Sequence, residues 1–163
     1  MIKRIAALLL ALVMMNCVAL AEAPDATTSA STSDSFAAYA LTGDELMNAI
    51  NAFSGTYLVA TVNPDGTPNV AYFIFSMVKH EDKYYLQLGL APNQSQANLQ
   101  ANPNGVAVYA ANPSGAEGAP AYTVSGARIW FDAIEDQAVI DALTANARPG
   151  AAFYEITLIR PLG

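Results

Sequence analysis

Two stretches of this chain are apolar on both faces of an extended backbone, and this constrains the fold more than any other feature. Thr56 to Asn63 reads Thr-Tyr-Leu-Val-Ala-Thr-Val-Asn, and Pro68 to Val78 carries Val70, Ala71, Tyr72, Phe73, Ile74, Phe75 and Met77. Both are rich in β-branched and aromatic residues, which suit strands. An antiparallel strand with one wet face alternates apolar and polar residues. Here both parities are apolar, so both faces must be covered. One face can fill a barrel. The other needs a helix or a second subunit. The pattern predicts a small barrel that dimerises.

Turn chemistry sets the order of elements. Pro64-Asp65-Gly66 separates the first two strands. Pro presets φ and Gly accepts positive φ. Lys79-His80-Glu81-Asp82 is polar and leads into a third strand, Lys83 to Gly89. Two successive hairpins make an antiparallel meander. Ahead of them, Thr42-Gly43-Asp44-Glu45 has the form of a capping box, and Leu46, Ile50 and Phe53 follow at near-helical spacing. A short helix is expected over about 43–52. Gln94 to Ala101 reads as one or two helical turns stopped by Asn102-Pro103. Strands follow over Val106 to Ala111, Ala121 to Asp132 and Phe153 to Arg160, with a Pro- and Gly-containing loop at 112–120. Asp132 to Glu135 resembles a cap for a third helix carrying Val139 and Leu143. The fold class is therefore mainly β (α+β): a six-stranded antiparallel barrel with a few short helices.

The N-terminal segment reads as an address rather than structure. Lys3 and Arg4 precede an apolar run from Ile5 to Met15, too short for the ~20 residues that span a bilayer. Ala19-Leu20-Ala21 then offers small residues at a signal-peptidase site. Residues 1–21 are read as a secretory signal peptide, which places the protein outside the cytoplasm, secreted or in the cell envelope. A lipid anchor at Cys17, the sole cysteine, is the lesser alternative, because Asn16 and Met14 depart from the lipoprotein pattern. Residues 22–41 are rich in Ser, Thr and Ala and read as a disordered tether. The folded domain is 42–163.

Charge excludes two classes of partner. The chain has 7 Lys+Arg against 14 Asp+Glu, net −7; loss of Lys3 and Arg4 with the signal leaves 5 bases and −9. Nucleic acid and anionic lipid surfaces both need clustered cations. Conventional catalytic sets are also missing. His80, the single histidine, sits in a polar turn, so no Ser-His-Asp set can be built around it. No His pair or Cys cluster offers a metal site. Asp65 is a turn residue first, and the pairs Glu81-Asp82 and Glu135-Asp136 have no spacing that ties them to acid-base work.

Several strings in order resemble the pyridoxamine 5′-phosphate oxidase-like family of FMN-binding split barrels. They are Val59-Ala60-Thr61-Val62-Asn63-Pro64-Asp65-Gly66-Thr67-Pro68, Lys83-Tyr84-Tyr85-Leu86, Asn98-Leu99-Gln100-Ala101-Asn102-Pro103, Val124-Ser125-Gly126-Ala127 and Phe153-Tyr154-Glu155-Ile156-Thr157. The resemblance covers roughly 42–160. It implies a split barrel that holds FMN, or a related flat cofactor, at a dimer interface. By this resemblance Ala71, Tyr72, Phe73, Ser76, Leu88, Gln94, Ser95 and Arg128 would bind the cofactor. No catalytic side chain is implied, because a flavin supplies its own redox chemistry.

One departure stands out. FMN-binding members hold the phosphate with Arg or Lys on the second strand and just before the Asn98–Pro103 segment. Here those positions read Ala71-Tyr72-Phe73-Ile74-Phe75-Ser76 and Asn93-Gln94-Ser95-Gln96, with no basic residue. Arg128 is the remaining candidate for an anion partner. Two readings stay open: an exported flavin-dependent oxidoreductase, and a non-catalytic extracytoplasmic binding or scaffold protein on the same fold.

Overall fold

The computed structural model describes residues 37–111 and 124–163. The signal peptide at 1–21, Cys17, tether residues 22–36, the 112–120 loop and the start of the strand at Ala121 lie outside the described residues. No helix among the described residues is long and apolar enough to cross a membrane.

Seven strands and three α-helices make up the domain: α1 (Gly43–Asn51), β1 (Thr56–Val62), β2 (Pro68–Tyr72), β3 (Phe75–His80), β4 (Lys83–Gly89), α2 (Gln94–Ala101), β5 (Gly105–Ala111), β6 (Ser125–Asp132), α3 (Gln137–Thr144) and β7 (Ala151–Arg160). The strands form one sheet in the order β2-β1-β5-β6-β7-β4-β3, every pair antiparallel. The two edge strands, β2 and β3, are consecutive in the chain and separated by only Phe73 and Ile74. The sheet therefore curls until its edges approach at one corner, yet they do not pair, and the barrel stays open along this seam.

The count of seven corrects the expected six. The stretch 68–78 is two strands because the chain leaves one edge of the sheet and joins the other. Phe73 N–H donates to Tyr57 O at 3.0 Å, the last bond to β1. From Phe75 the backbone pairs with β4, beginning at Phe75↔Leu88.

Alternation places one parity inside. Tyr57 and Val59 of β1, Phe75 and Met77 of β3, Leu86 and Leu88 of β4, Ala107 and Tyr109 of β5, and Ile129 and Phe131 of β6 are buried together with Leu46 and Ile50 of α1. A register shift between Trp130 and Phe131 leaves Thr157 unpaired, so Ile156 and Ile159 both pack against this core. That is the effect of a β-bulge. The other parity forms an apolar outer face. Its rows run Tyr72–Leu58–Val108–Arg128–Arg160 and Val70–Ala60–Val106–Trp130–Leu158 across neighbouring strands. Val70 and Tyr72 are 62% and 63% exposed.

Local details differ from the sequence reading at the caps. Thr42 is the N-cap of α1 but its side chain makes no capping bond. Asp44 is drawn instead to Lys79 Nζ at 3.1 Å and the Tyr84 hydroxyl at 2.8 Å. The third helix starts later than expected, because Asp136, not Asp132, accepts from Ala138 N–H. Residues 37–41, assigned above to the tether, are held to the sheet. Ala37–Tyr39 form a 3-10 turn, Leu41 N–H donates to Gly126 O, and Ser125 Oγ donates to Tyr39 O.

Candidate functional site

The corner between β2 and β3 exposes what a barrel normally hides. Even-numbered residues face outward here. Tyr72 is exposed, Ile74 is 55% exposed and Ser76 is half-buried, whereas Phe75 and Met77 enter the core. Ser76 Oγ donates to Gln87 Oε1 at 3.1 Å across the β3–β4 pair. Phe53, in the turn after α1, has φ +53° and is 62% exposed. Bulky residues rarely adopt that left-handed backbone. Phe53, Ile74, Ser76 and Gln87 line an open cleft of about 420 Å³ together with Gly89, Arg148, Pro149 and Ala151. That volume suits a small molecule. The walls offer apolar surface, one hydroxyl–amide pair and one guanidinium.

A second polar group lies at the end of the barrel under α2. Asn98 Nδ2 donates to Thr61 Oγ1 and Asn63 Oδ1, both at 2.9 Å. Asn69 Nδ2 donates to Thr61 Oγ1 at 3.1 Å and to Ser95 Oγ at 3.0 Å. Gln94 Nε2 donates to Asn98 Oδ1, and Asn93 Oδ1 caps α2 by accepting from Gln96 N–H. Among the described residues no buried side-chain polar atom lacks a partner. The network is neutral and satisfied within itself.

These observations test the fit of FMN. The cleft offers apolar wall and a polar edge to a flat ring. The phosphate dianion of FMN does not fit the α2 end, where Ser95 is buried and already bonded and no cation takes part. A desolvated phosphate needs charged donors. The cation that lines the cleft is Arg148.

The residues predicted for cofactor binding do not meet at one place in a single chain. Tyr72 and Ser76 face outward at the corner. Ala71 and Phe73 are partly buried on the inward parity, and Leu88 is fully buried in the core, so its side chain has no surface to offer. Gln94 and Ser95 belong to the α2 network. Arg128 stands three strands from Tyr72 along one outer row, roughly 14 Å at ordinary strand spacing. Its Nε donates to Pro161 O at 2.7 Å, and its guanidinium lies over Trp130 at 5.6 Å. Phe53, Ile74, Gln87 and Arg148 were missed. No motif marks them: they come from four separate segments that only the curl of the sheet brings together.

Perturbed ionisation elsewhere is structural. Tyr57 donates its hydroxyl to Ile50 O at 2.7 Å, and burial pushes its pKa up to about 12. Asp44 is held below the usual carboxylate range by the Tyr84 hydroxyl and Lys79. Asp65 accepts from Thr67 N–H and Oγ1, which closes the first hairpin turn. Among the described residues no three His, Cys, Asp or Glu side chains gather as a metal-ligand group.

No family model and no curated protein matches this sequence. Solved structures do match its shape. An FMN-binding protein from Syntrophomonas wolfei superposes with a TM-score of 0.51 at 16% identity, over 74% of this chain and 85% of its own. The chain has the fold of the FMN-binding and pyridoxamine 5′-phosphate oxidase-like split barrels. A candidate pyridoxamine 5′-phosphate oxidase from Lactobacillus delbrueckii gives 0.47 at 18% identity, over 73% and 93% of the two chains. A heme storage protein from Vibrio cholerae gives 0.42 at 15% identity, over 70% and 90%. The sheet is open between β2 and β3, and the cleft lies beside this seam.

Proposed function

We propose that this split barrel is an exported, dimeric protein that binds a flat flavin-type ligand in the cleft beside the β2–β3 corner. One observation carries the reading. The strand that the family resemblance assigns to the flavin turns its outward residues, Ile74 and Ser76, into a cleft of about 420 Å³ that also holds exposed Phe53 and polar Gln87. An aromatic ligand gains from stacking and apolar burial there, and the Ser76–Gln87 pair can meet its polar edge. The FMN bound by the similar Syntrophomonas protein is the natural first ligand to try.

The dimer follows from the outer face. Val70, Tyr72, Leu58, Val106, Val108, Trp130 and Leu158 make an apolar surface on five adjacent strands. A second copy would cover it. Tyr72 ends this face and Ile74 begins the cleft two residues later, so the partner would also wall the ligand. When bound, a flavin supplies electron transfer, and an oxidoreductase role follows. The chain's own residues position and shield it.

The neutral α2 network favours a second reading, in which the ligand is unphosphorylated and no turnover occurs. Fluorescence titration of the full-length chain with FMN and riboflavin tests both. Saturable binding at micromolar or tighter affinity supports the flavin reading, and photoreduction then shows whether the bound ring accepts electrons. Binding of neither ligand overturns it.

A further inference from the structure

The five cations of the folded domain are not equivalent. Lys79 pairs with Asp44 at 3.1 Å and Lys83 with Glu155 at 2.6 Å. Arg128 is bonded to Pro161 O, and both Arg128 and Arg160 lie over Trp130. Arg148 is different: among the described residues its guanidinium has no hydrogen-bond, ion-pair or aromatic partner, and it lines the cleft, whereas Arg160 has Trp130 alone. Phe53 lines the same cleft, is 62% exposed and has a backbone conformation unusual for an aromatic residue. A loop cation and an exposed aromatic thus flank one opening, with the Ser76–Gln87 pair between them in the sheet.

We propose that Arg148 makes this cleft selective for a planar aromatic anion. The guanidinium takes the carboxylate or phosphate, and the flat ring lies against Phe53 and Ile74. The inference rests on the cleft being the ligand site. It adds the charge of the ligand and the residue that reads it. The protein carries a net charge of −7, so an anion approaches against the overall field and needs such a local donor. A guanidinium can bond two oxygens of one anion at once. In this arrangement the ligand's negative group is held at the α3–β7 loop and not at the start of α2.

FMN and riboflavin share one ring and differ in the phosphate, so they are suitable probes. The full-length chain and its Arg148→Gln, Arg148→Lys and Phe53→Ala variants are titrated with each at low salt, with circular dichroism to confirm folding. Wild type should bind FMN about tenfold more tightly than riboflavin. Arg148→Gln should abolish that preference by weakening FMN far more than riboflavin, and Arg148→Lys should keep part of it. Phe53→Ala should weaken both ligands alike. Equal binding of the two flavins by wild type, or an undiminished preference in Arg148→Gln, overturns the role of Arg148 while leaving the cleft as a flavin site. Binding of neither flavin overturns both.

Discussion

The carboxamide of Asn51 stands where another strand would pair with Met77. Met77 N–H donates to Asn51 Oδ1 at 2.9 Å, and Asn51 Nδ2 donates to Met77 O at 2.8 Å. β3 is an edge strand, so this one side chain satisfies both backbone groups that face the open seam. It also ties the end of α1 to the strand that forms the cleft floor. Unpaired edges invite other chains to add to the sheet.

Replacing Asn51 by Ala frees both Met77 groups at once. The expected cost is about 1–2 kcal/mol, read as a lower urea midpoint with an unchanged slope. Because Phe53 lies two residues on, the same variant should also weaken ligand binding. An unchanged midpoint would mean that water replaces the carboxamide without loss.

Among the described glycines, Gly126 leaves the least room for a side chain. It has φ +152°, and a Cβ there would run into the Tyr109 carbonyl on β5. The clash is with backbone, which cannot move aside without breaking the β5–β6 ladder. Gly126→Ala should cost more than about 3 kcal/mol in thermal or denaturant unfolding. Gly66 provides the control: φ is +83° but nothing lies within 4 Å of the added methyl, so Gly66→Ala should cost about 1 kcal/mol.

Alkaline stability should fall through tyrosine. Tyr57 titrates near 10 when unfolded and about 12 when folded, because burial disfavours the phenolate. Its contribution is complete below pH 10. It is lost as the pH rises from 10 to 12, where the unfolded chain releases a proton that the folded chain keeps. Burial raises Tyr85, Tyr109 and Tyr154 in the same direction. Tyr57→Phe should cost about 1 kcal/mol at neutral pH through the lost bond to Ile50 O. It should also show a shallower alkaline decline than wild type. Equal slopes would contradict the assignment.

A charge on the outer face should separate the proposed dimer without unfolding the barrel. Val70 lies on edge strand β2 and is 62% exposed. Val70→Glu should give half the wild-type mass by sedimentation equilibrium with the same far-ultraviolet spectrum. A wild-type chain that sediments as a monomer would contradict the proposed role of this face.

The barrel was legible because its causes are local. Pro64-Asp65-Gly66 and the Glu81-Asp82 turn set the hairpins, and runs of β-branched and aromatic residues marked the strands. The break at Phe73–Ile74 was not legible. It answers to closure of the whole sheet, and nothing in Tyr72-Phe73-Ile74-Phe75 breaks a strand locally. Thr42 is the N-cap of α1 without a side-chain bond, and Asp44 bonds Lys79 and Tyr84, 35 and 40 residues away, contacts that no local pattern carries. The cleft was half legible. Ser76 sits on a recognisable strand, but Arg148 and Phe53 lie in loops whose place depends on the sheet's curl. Ser95 shows the reverse. The resemblance implied it as a ligand donor just before the Asn98–Pro103 segment, and in the fold it is buried and bonded to Asn69.

The account stands on the location of the ligand, and backbone amide chemical shifts measured during addition of FMN to the isotope-labelled full-length chain test it most directly. Saturable changes should centre on Phe53, Ile74, Ser76, Gln87, Gly89 and Arg148 and leave Ser95 and Asn98 unmoved. Changes centred on the α2 network or on the Arg128–Trp130 surface, or no saturable change at all, would contradict the cleft as the flavin site.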